Sequence, residues 1–197
     1  LEELKQERAQ YYSQDGWFQC EYPQSEIGTV AYFSMEYGLG EALPIYAGGL
    51  GILAGDLLKS ASDLNLPLVG VGLLYQQGYF RQMIDAQGAQ QAFYPYNEPA
   101  SLPIRPALDK QGNRLTIVVE LPARDLFLRV WEVQVGRVSL YLLDSNDLMN
   151  SPVDQAITSE LYGGAYEMRL LQEIVLGIGG WRMLEALEII PEICHLN

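Results

Sequence analysis

The sequence has few residues of the kinds that bind metals or form disulfide bonds. Cysteine and histidine are represented only by Cys20, Cys194 and His195, and the cysteines lie far apart without the spacing of a metal site. We therefore expect free thiols, no metal and a reduced, cytoplasmic setting. His195 follows apolar residues, which favours a packed, hydrogen-bonded core residue over a catalytic one.

Positively charged residues are also scarce, with 12 Lys and Arg against 25 Asp and Glu and a net charge of −13. This charge repels nucleic acids and anionic membranes, so we expect neither as a partner. No apolar run approaches the roughly 18 residues that a membrane-spanning helix needs. The chain also has no internal repeat and no low-complexity segment.

The composition is that of a globular protein, with 49% hydrophobic and 19% charged residues over 197 positions. This length suits one domain or a large piece of a bigger one, and it can bury a sizeable core. The sequence begins at Leu1 and ends at Asn197, just after an apolar run that is typical of a strand. We therefore expect a fragment of a longer protein.

A strand, a helix and a second strand are predicted early in the chain. Residues 29–35 are mostly apolar and β-favouring, residues 50–64 have apolar positions at three- and four-residue spacing, and residues 66–75 form a second apolar run. This order predicts a βαβ unit with parallel strands. Residues 1–26, which include a charged helix and several aromatic side chains, are predicted to form an N-terminal arm, and residues 27–197 the rest of the fold.

The following part has a different pattern. Strands are predicted at residues 78–85, 114–121, 126–135 and 138–143, with a proline-rich loop at residues 92–106, so that about 78–143 forms an antiparallel β-meander. Helical spacing returns at about 155–188. There we expect a break at Gly163 and Gly164 and close packing at Gly179 and Gly180.

A glycine cluster joins the first predicted strand to its helix. Gly48, Gly49 and Gly51 surround Leu50 where the helical spacing begins. Such a turn can bring backbone amides to a phosphate at a helix N-terminus, although tight turns and close packing use the same residues.

Two acids lie near this turn. Glu36 directly follows the first strand, where α/β folds place ligands, and Glu41 follows soon after. The pair could perform acid and base chemistry, although a solvated loop pair is the simpler interpretation. The arginines are too dispersed to indicate a phosphate clamp, and most aromatic rings are expected in the core.

Several motifs resemble those of the α-glucan phosphorylase family, which includes glycogen, starch and maltodextrin phosphorylases. They lie at residues 31–39 (AYFSMEYGL), 41–51 (EALPIYAGGLG), 66–75 (LPLVGVGLLY), 141–144 (YLLD), 161–164 (LYGG) and 172–180 (QEIVLGIGG). The likeness spans most of residues 30–197, and the short bacterial and archaeal type of the family is the closer match.

The resemblance implies a Rossmann-like α/β core with parallel strands, as part of the N-terminal lobe of a two-lobed glycosyltransferase with a β-meander insertion. The parent would use inorganic phosphate to release terminal α-1,4-linked glucose as glucose 1-phosphate, with pyridoxal phosphate as cofactor and as a homo-oligomer. By the same resemblance, Glu36 is a catalytic acid and Gly48, Gly49 and Leu50 bind substrate phosphate. Gly48 and Gly49 also lie near the cofactor's phosphate, while the Schiff-base lysine is outside this chain. The fragment alone is expected to be inactive and not to bind the cofactor.

Two residues depart from the short-type pattern. Gly40 stands where histidine is expected, and Ala165 stands where aspartate is usual, which removes a helix cap.

Two alternatives to a phosphorylase fragment are a nucleotide-sugar glucan synthase lobe and a non-catalytic glucan-binding or assembly module. The resemblance disfavours the synthase lobe, because such synthases usually carry a lysine two residues before the glycine pair. This chain has Tyr46 at that position.

Overall fold

The computed structural model describes all 197 residues, which form nine strands and six α-helices. The strands are β1 Thr29–Phe33, β2 Leu68–Leu73, β3 Arg81–Ile84, β4 Gln90–Phe93, β5 Arg105–Pro106, β6 Thr116–Leu121, β7 Arg124–Val135, β8 Val138–Asp144 and β9 Pro191–Leu196. The helices are α1 Glu2–Ser13, α2 Trp17–Glu21, α3 Gly49–Leu64, α4 Pro152–Gln155, α5 Tyr166–Ile174 and α6 Gly180–Ala186.

Seven strands form one mixed sheet in the order β5-β7-β8-β2-β1-β9, with β6 paired to β7 outside this path. β8, β2, β1 and β9 are parallel neighbours. The predicted βαβ unit is confirmed as β1, α3 and β2, with Tyr32 opposite Gly70 in the register. Parallel strands need a long crossover, which α3 provides here.

The antiparallel meander is confirmed for β6, β7 and β8. β7 and β8 are joined at Gly136 and Arg137, and Gly136 has a φ of +55°, a left-handed conformation that glycine adopts at little cost. Because β8 also pairs with β2 in parallel, the meander extends the core sheet rather than forming a separate layer.

The proline-rich loop predicted at residues 92–106 is only partly correct. β4 pairs with β3 as a separate two-stranded antiparallel sheet, and β5 pairs with β7. All residues of β3 and β4 are exposed, so no apolar alternation marks β4 in the sequence.

Helices cover both faces of the main sheet. On one face, Gly70 lets the side chains of Leu58 from α3 and Leu140 from β8 approach the backbone of β2 closely. On the other face, a π-helical turn at Val175–Gly179 joins α5 to α6, and a Cβ on Gly180 would lie 2.7 Å from Val71 Cγ1. The break at Gly163 and Gly164 and the close packing at Gly179 and Gly180 are therefore confirmed.

The N-terminal helices lie on the surface. α1 has no buried residue, and its C-terminal end is held by Arg137, whose guanidinium lies 3.9 Å from the ring centroid of Tyr11 and donates to the Tyr11 carbonyl. Gln19 of α2 donates to the Asn65 carbonyl at the end of α3. The assignment of residues 1–26 as a separate arm stays a prediction.

None of the helices combines the length and the apolar character that a membrane crossing requires. No three His, Cys, Asp or Glu side chains are grouped as a metal site would need. Cys20 and Cys194 are exposed free thiols.

Candidate functional site

Glu36 lies at the carboxyl end of β1, in the crossover that leads to α3. Its side chain is only 3% exposed although it carries a carboxylate. A buried charge is stable only when it is hydrogen-bonded or paired, so its partners define its role.

Three protein donors hold the Glu36 carboxylate. Oε2 accepts from the backbone amides of Ala47 at 2.7 Å and Gly48 at 3.2 Å, and Oε1 accepts a short hydrogen bond from the hydroxyl of Tyr162. The carboxylate also lies at the positive N-terminal end of α3, which stabilises an anion. Glu36 therefore fixes the backbone of the glycine turn to the end of β1.

Two glycines of α3 are required by packing. A Cβ on Gly51 would lie 2.5 Å from Tyr46 Cβ and 2.9 Å from Glu36 Oε2. A Cβ on Gly55 would lie 2.2 Å from the carbonyl oxygen of Gly38. These glycines let the helix start lie directly against the crossover that carries Glu36.

Gly48 and Gly49 differ from this pair. A Cβ on either residue would have no heavy atom within 4 Å, and neither residue has a positive φ. Packing and backbone conformation therefore do not require glycine here, and the missing side chains leave an open approach to the turn.

The amides at this opening have no acceptor within the protein. The backbone N–H of Gly48 is bonded to Glu36, whereas those of Gly49, Leu50 and Gly51 have no hydrogen-bond partner. Leu50 is 38% exposed. Unpartnered amides at a helix N-terminus are suited to binding an anion.

Tyr162 brings the loop before α5 to this site. Its backbone has a φ of +56°, which is unusual for a residue other than glycine, and the guanidinium of Arg169 lies 4.3 Å from its ring centroid. Burial, together with the hydrogen bond to and the charge of Glu36, raises the pKa of Tyr162 to about 12. Tyr162 is therefore a neutral donor to Glu36 throughout the neutral pH range.

The sequence did not identify Tyr162 or Arg169 as members of this site. Tyr162 is 126 positions from Glu36, so only the fold brings them together. A positive-φ residue beside Gly163 and Gly164 is a local signal of a special turn, but it gives no information about the partner.

The other predicted candidates do not join the site. Glu41 is exposed, makes no hydrogen bond or ion pair, and lines a cavity with Tyr79 and Arg81 that does not include Glu36. The structure therefore does not support a two-carboxylate site.

The expectation of a packed, hydrogen-bonded His195 is wrong. The residue is exposed on β9, its ring has no hydrogen bond, and it stacks on Tyr32 at 4.8 Å between ring centroids. β9 is an edge strand of the sheet, which explains why an apolar sequence leads to exposed side chains.

Gly40 and Ala165, the two residues that depart from the short-type phosphorylase pattern, have different surroundings. Ala165 is the N-cap residue of α5 and provides no side-chain cap, as expected. Gly40 lies in open space and lines a small cavity with Lys59 and Val133.

Comparisons with known proteins bear on this geometry. The chain is 49% identical over 181 residues to a maltodextrin phosphorylase of Thermococcus litoralis, which covers 92% of this chain and 22% of the relative. It is 44% identical over 211 residues to a glycogen phosphorylase of Mycobacterium tuberculosis, covering all of this chain and 24% of the relative. A glycogen phosphorylase of Aquifex aeolicus is 45% identical over 168 residues.

The chain is similar to one segment of the α-glucan phosphorylases. The match to the Mycobacterium tuberculosis enzyme covers the whole chain, and therefore also the segments that contain Glu36, the glycine turn and Tyr162. The chain spans between a fifth and a quarter of the length of these phosphorylases. Residues 1–43 also match a family model described as a protein of unknown function (DUF3417).

Proposed function

We propose that this chain forms one wall of the active site of an α-glucan phosphorylase. The parent enzyme uses inorganic phosphate to cleave a terminal α-1,4-glucosyl unit, and the product is glucose 1-phosphate. The chain is the corresponding part of a Rossmann-like N-terminal lobe, with an arm at residues 1–26. The parent is cytoplasmic and homo-oligomeric in this proposal.

The observation that carries the proposal is the open glycine turn. A side chain at Gly48 or Gly49 would enter open space. The backbone amides of Gly49, Leu50 and Gly51 have no hydrogen-bond partner in the protein. In a protein with a net charge of −13 the overall field repels an anion, so local donors such as these amides have to provide the attraction.

We assign the binding of substrate phosphate to Gly48, Gly49 and Leu50. The free amides of Gly49 and Leu50 are its donors, whereas the Gly48 amide is bonded to Glu36 and Gly48 contributes open space. Glu36 is the acid beside the reacting groups. Tyr162 positions the Glu36 carboxylate through the other oxygen.

Pyridoxal phosphate fits this wall only in part. The open space and amides at Gly48 and Gly49 suit its phosphate group, which assists proton transfer when the cofactor is bound. The three lysines Lys5, Lys59 and Lys110 each pair with an acid on the surface, and we assign the lysine that carries the cofactor to the other lobe, as the family resemblance implies. Alone, the chain is therefore inactive.

Anion binding at the turn can be measured on the 197-residue chain. In an NMR titration of ¹⁵N-labelled protein with inorganic phosphate, we expect saturable shifts of the Gly49, Leu50 and Gly51 amides. Gly49→Val should abolish these shifts, whereas Gly40→Val, which also enters open space, should preserve them. Shifts that are absent at the turn, or equal in both variants, would contradict the assignment.

Phosphorolysis itself is the second readout. With maltodextrin, phosphate and pyridoxal phosphate added, the chain should form no detectable glucose 1-phosphate. Measurable product from the 197 residues alone would show that the catalytic groups do not require a second lobe.

A further inference from the structure

A cleft on the antiparallel side of the sheet is not used by the proposed phosphate site. Two adjoining cavities of about 490 and 250 Å³ share Pro106, Arg114, Arg129 and Trp131 as lining residues. We call them together the tryptophan cleft. Glu36, Gly48 and Tyr162 do not line it.

The register of β7 explains why polar side chains meet here. Arg129 lies opposite Asp144 on β8 and opposite Thr116 on β6, while Trp131 lies opposite Pro106 on β5. Directly opposed residues of antiparallel strands project from the same face, so these side chains form adjacent rows. The floor of the cleft is therefore built on strands rather than on loops.

The side chains of the floor are held in place before any ligand binds. Asp144 is only 3% exposed. Its carboxylate accepts hydrogen bonds from the indole Nε1 of Trp131 at 3.2 Å and from the backbone N–H of Asn146 at 2.8 Å. Arg129 donates to Asp147 at 2.9 Å. A rigid set of planar polar groups reduces the entropy cost of binding a ligand.

The charges in the cleft indicate a neutral ligand. Arg114 and Arg129 line the cleft together with three acids, Glu98, Asp144 and Asp147. Two positive against three negative groups give a phosphate no net attraction, and the guanidinium of Arg114 opposes a cation.

The groups that remain available match a carbohydrate. Arg114 has no hydrogen bond or ion pair from its side chain, and Tyr96 has only a 3.4 Å contact from Asn146 to its hydroxyl. Hydroxyl groups of a pyranose can donate to the carboxylates and accept from the guanidinium, and its C–H face can pack on an aromatic ring. We propose that the tryptophan cleft binds a neutral oligosaccharide, with Arg114 as a donor to sugar hydroxyls.

The choice of an α-1,4-glucan as that sugar rests on the proposed function, whereas the sugar class follows from the cleft. The probe is therefore maltoheptaose, titrated into the ¹⁵N-labelled 197-residue chain. The indole N–H of Trp131, assigned with Trp131→Phe, should shift in a saturable way. Inorganic phosphate should leave this signal unchanged.

Arg114→Ala is the decisive variant because its side chain supports no other part of the fold. We expect it to weaken maltoheptaose binding about tenfold, as for loss of a charge-assisted hydrogen bond. Arg81→Ala is the control, since Arg81 is also exposed, forms no side-chain hydrogen bond or ion pair and does not line the tryptophan cleft, and it should bind as the unaltered chain does.

Three outcomes overturn the proposal: no saturable shift of the Trp131 indole, an equal loss in Arg114→Ala and Arg81→Ala, or a shift caused by phosphate. The phosphate site is tested separately by the amides of Gly49 and Leu50. Failure at one location is therefore distinguishable from failure at the other.

Discussion

At the scale of single residues, one buried carboxylate organises the candidate site. Glu36 bonds to two amides of the turn and to a tyrosine from a distant loop. Each bond satisfies part of a charge that would be costly to leave unpaired in a buried position. Glu36 therefore has a structural role in the turn in addition to the catalytic role proposed for it.

Removing the Tyr162 hydroxyl should expose this dependence. We expect Tyr162→Phe to lower the free energy of unfolding by about 1–3 kcal/mol, because a hydrogen bond to a charged, buried acceptor is lost. Tyr94→Phe is the control, since the Tyr94 hydroxyl has no hydrogen bond in the structure. Urea denaturation of both variants measures the difference, and equal losses would contradict the role of Tyr162.

The glycines of the turn should separate into two classes. Gly51→Ala places a Cβ 2.5 Å from Tyr46 Cβ and 2.9 Å from Glu36 Oε2, so we expect a loss of stability. The loss should be about 1–3 kcal/mol, as for overpacking in a buried site.

Gly49→Ala is the matched change in the same helix, because its Cβ enters open space. It should alter stability by no more than about 0.5 kcal/mol. Urea denaturation compares the two variants. A loss at Gly49 as large as that at Gly51 would mean that packing, rather than ligand access, accounts for both glycines.

Asp144 should give a recognisable pH dependence. Burial raises the pKa of Asp144 above its ordinary value of 3.8, despite opposing hydrogen bonds from Asn146 and Trp131. The folded state then binds a proton more readily than the unfolded state, so this group adds stability as the pH falls from the raised pKa towards 3.8.

The comparison is with Asp144→Asn, which cannot titrate. The stability of the unaltered chain minus that of the variant should increase as the pH is lowered through this range. The measurement is urea denaturation at a series of pH values. A difference that decreases on acidification would show that the pKa of Asp144 is lowered rather than raised.

The sequence allowed part of the candidate site to be predicted. Glu36 and the glycines were found because the end of a β-strand and the start of a helix carry local signals. The contact of Tyr162 with Glu36 has no such signal, because it depends on how α5 packs against the sheet. The pairing of Trp131 with Asp144 likewise depends on the register of β7 and β8.

At the scale of elements, attachment of α1 depends on one side chain from the turn between β7 and β8. Arg137 stacks on Tyr11 and donates to its carbonyl, while no residue of α1 is buried. The helix is therefore held by local polar contacts rather than by the core.

Arg137→Ala should release α1 without unfolding the sheet. We expect faster hydrogen exchange of the amides in α1, with a change of less than about 1 kcal/mol in global stability. Arg8→Ala is the control, because Arg8 only approaches the Tyr12 ring at 5.5 Å. Unchanged exchange in α1 would show that other contacts hold the helix.

The elements predicted best are those whose burial follows a simple period. The strands β1 and β2, the helix α3 and the meander were predicted from apolar spacing, and each packs into the core accordingly. The exposed hairpin of β3 and β4 and the π-helical turn have no such period. Exposure of β9 was also not predictable, because an edge strand and a central parallel strand have similar sequences.

At the scale of the whole molecule, the anion site that we propose lies in a strongly acidic chain. Because the net charge of −13 repels anions, the attraction has to come from local groups, such as the free amides of Gly49 and Leu50 in the open turn. The tryptophan cleft lacks a positive excess and fits a neutral ligand instead. We thus propose two different ligand classes for two parts of one sheet.

The central claim is tested most directly by a chimera in which this chain replaces the matching segment of the maltodextrin phosphorylase relative. The measurement is the rate of glucose 1-phosphate formation from maltodextrin and phosphate. We predict an active chimera, a loss of about 100-fold or more in Gly49→Val, as for removal of a transition-state donor, and nearly unchanged activity in Gly40→Val. An inactive, folded chimera, or equal activity in the two variants, would contradict the assignment of the glycine turn.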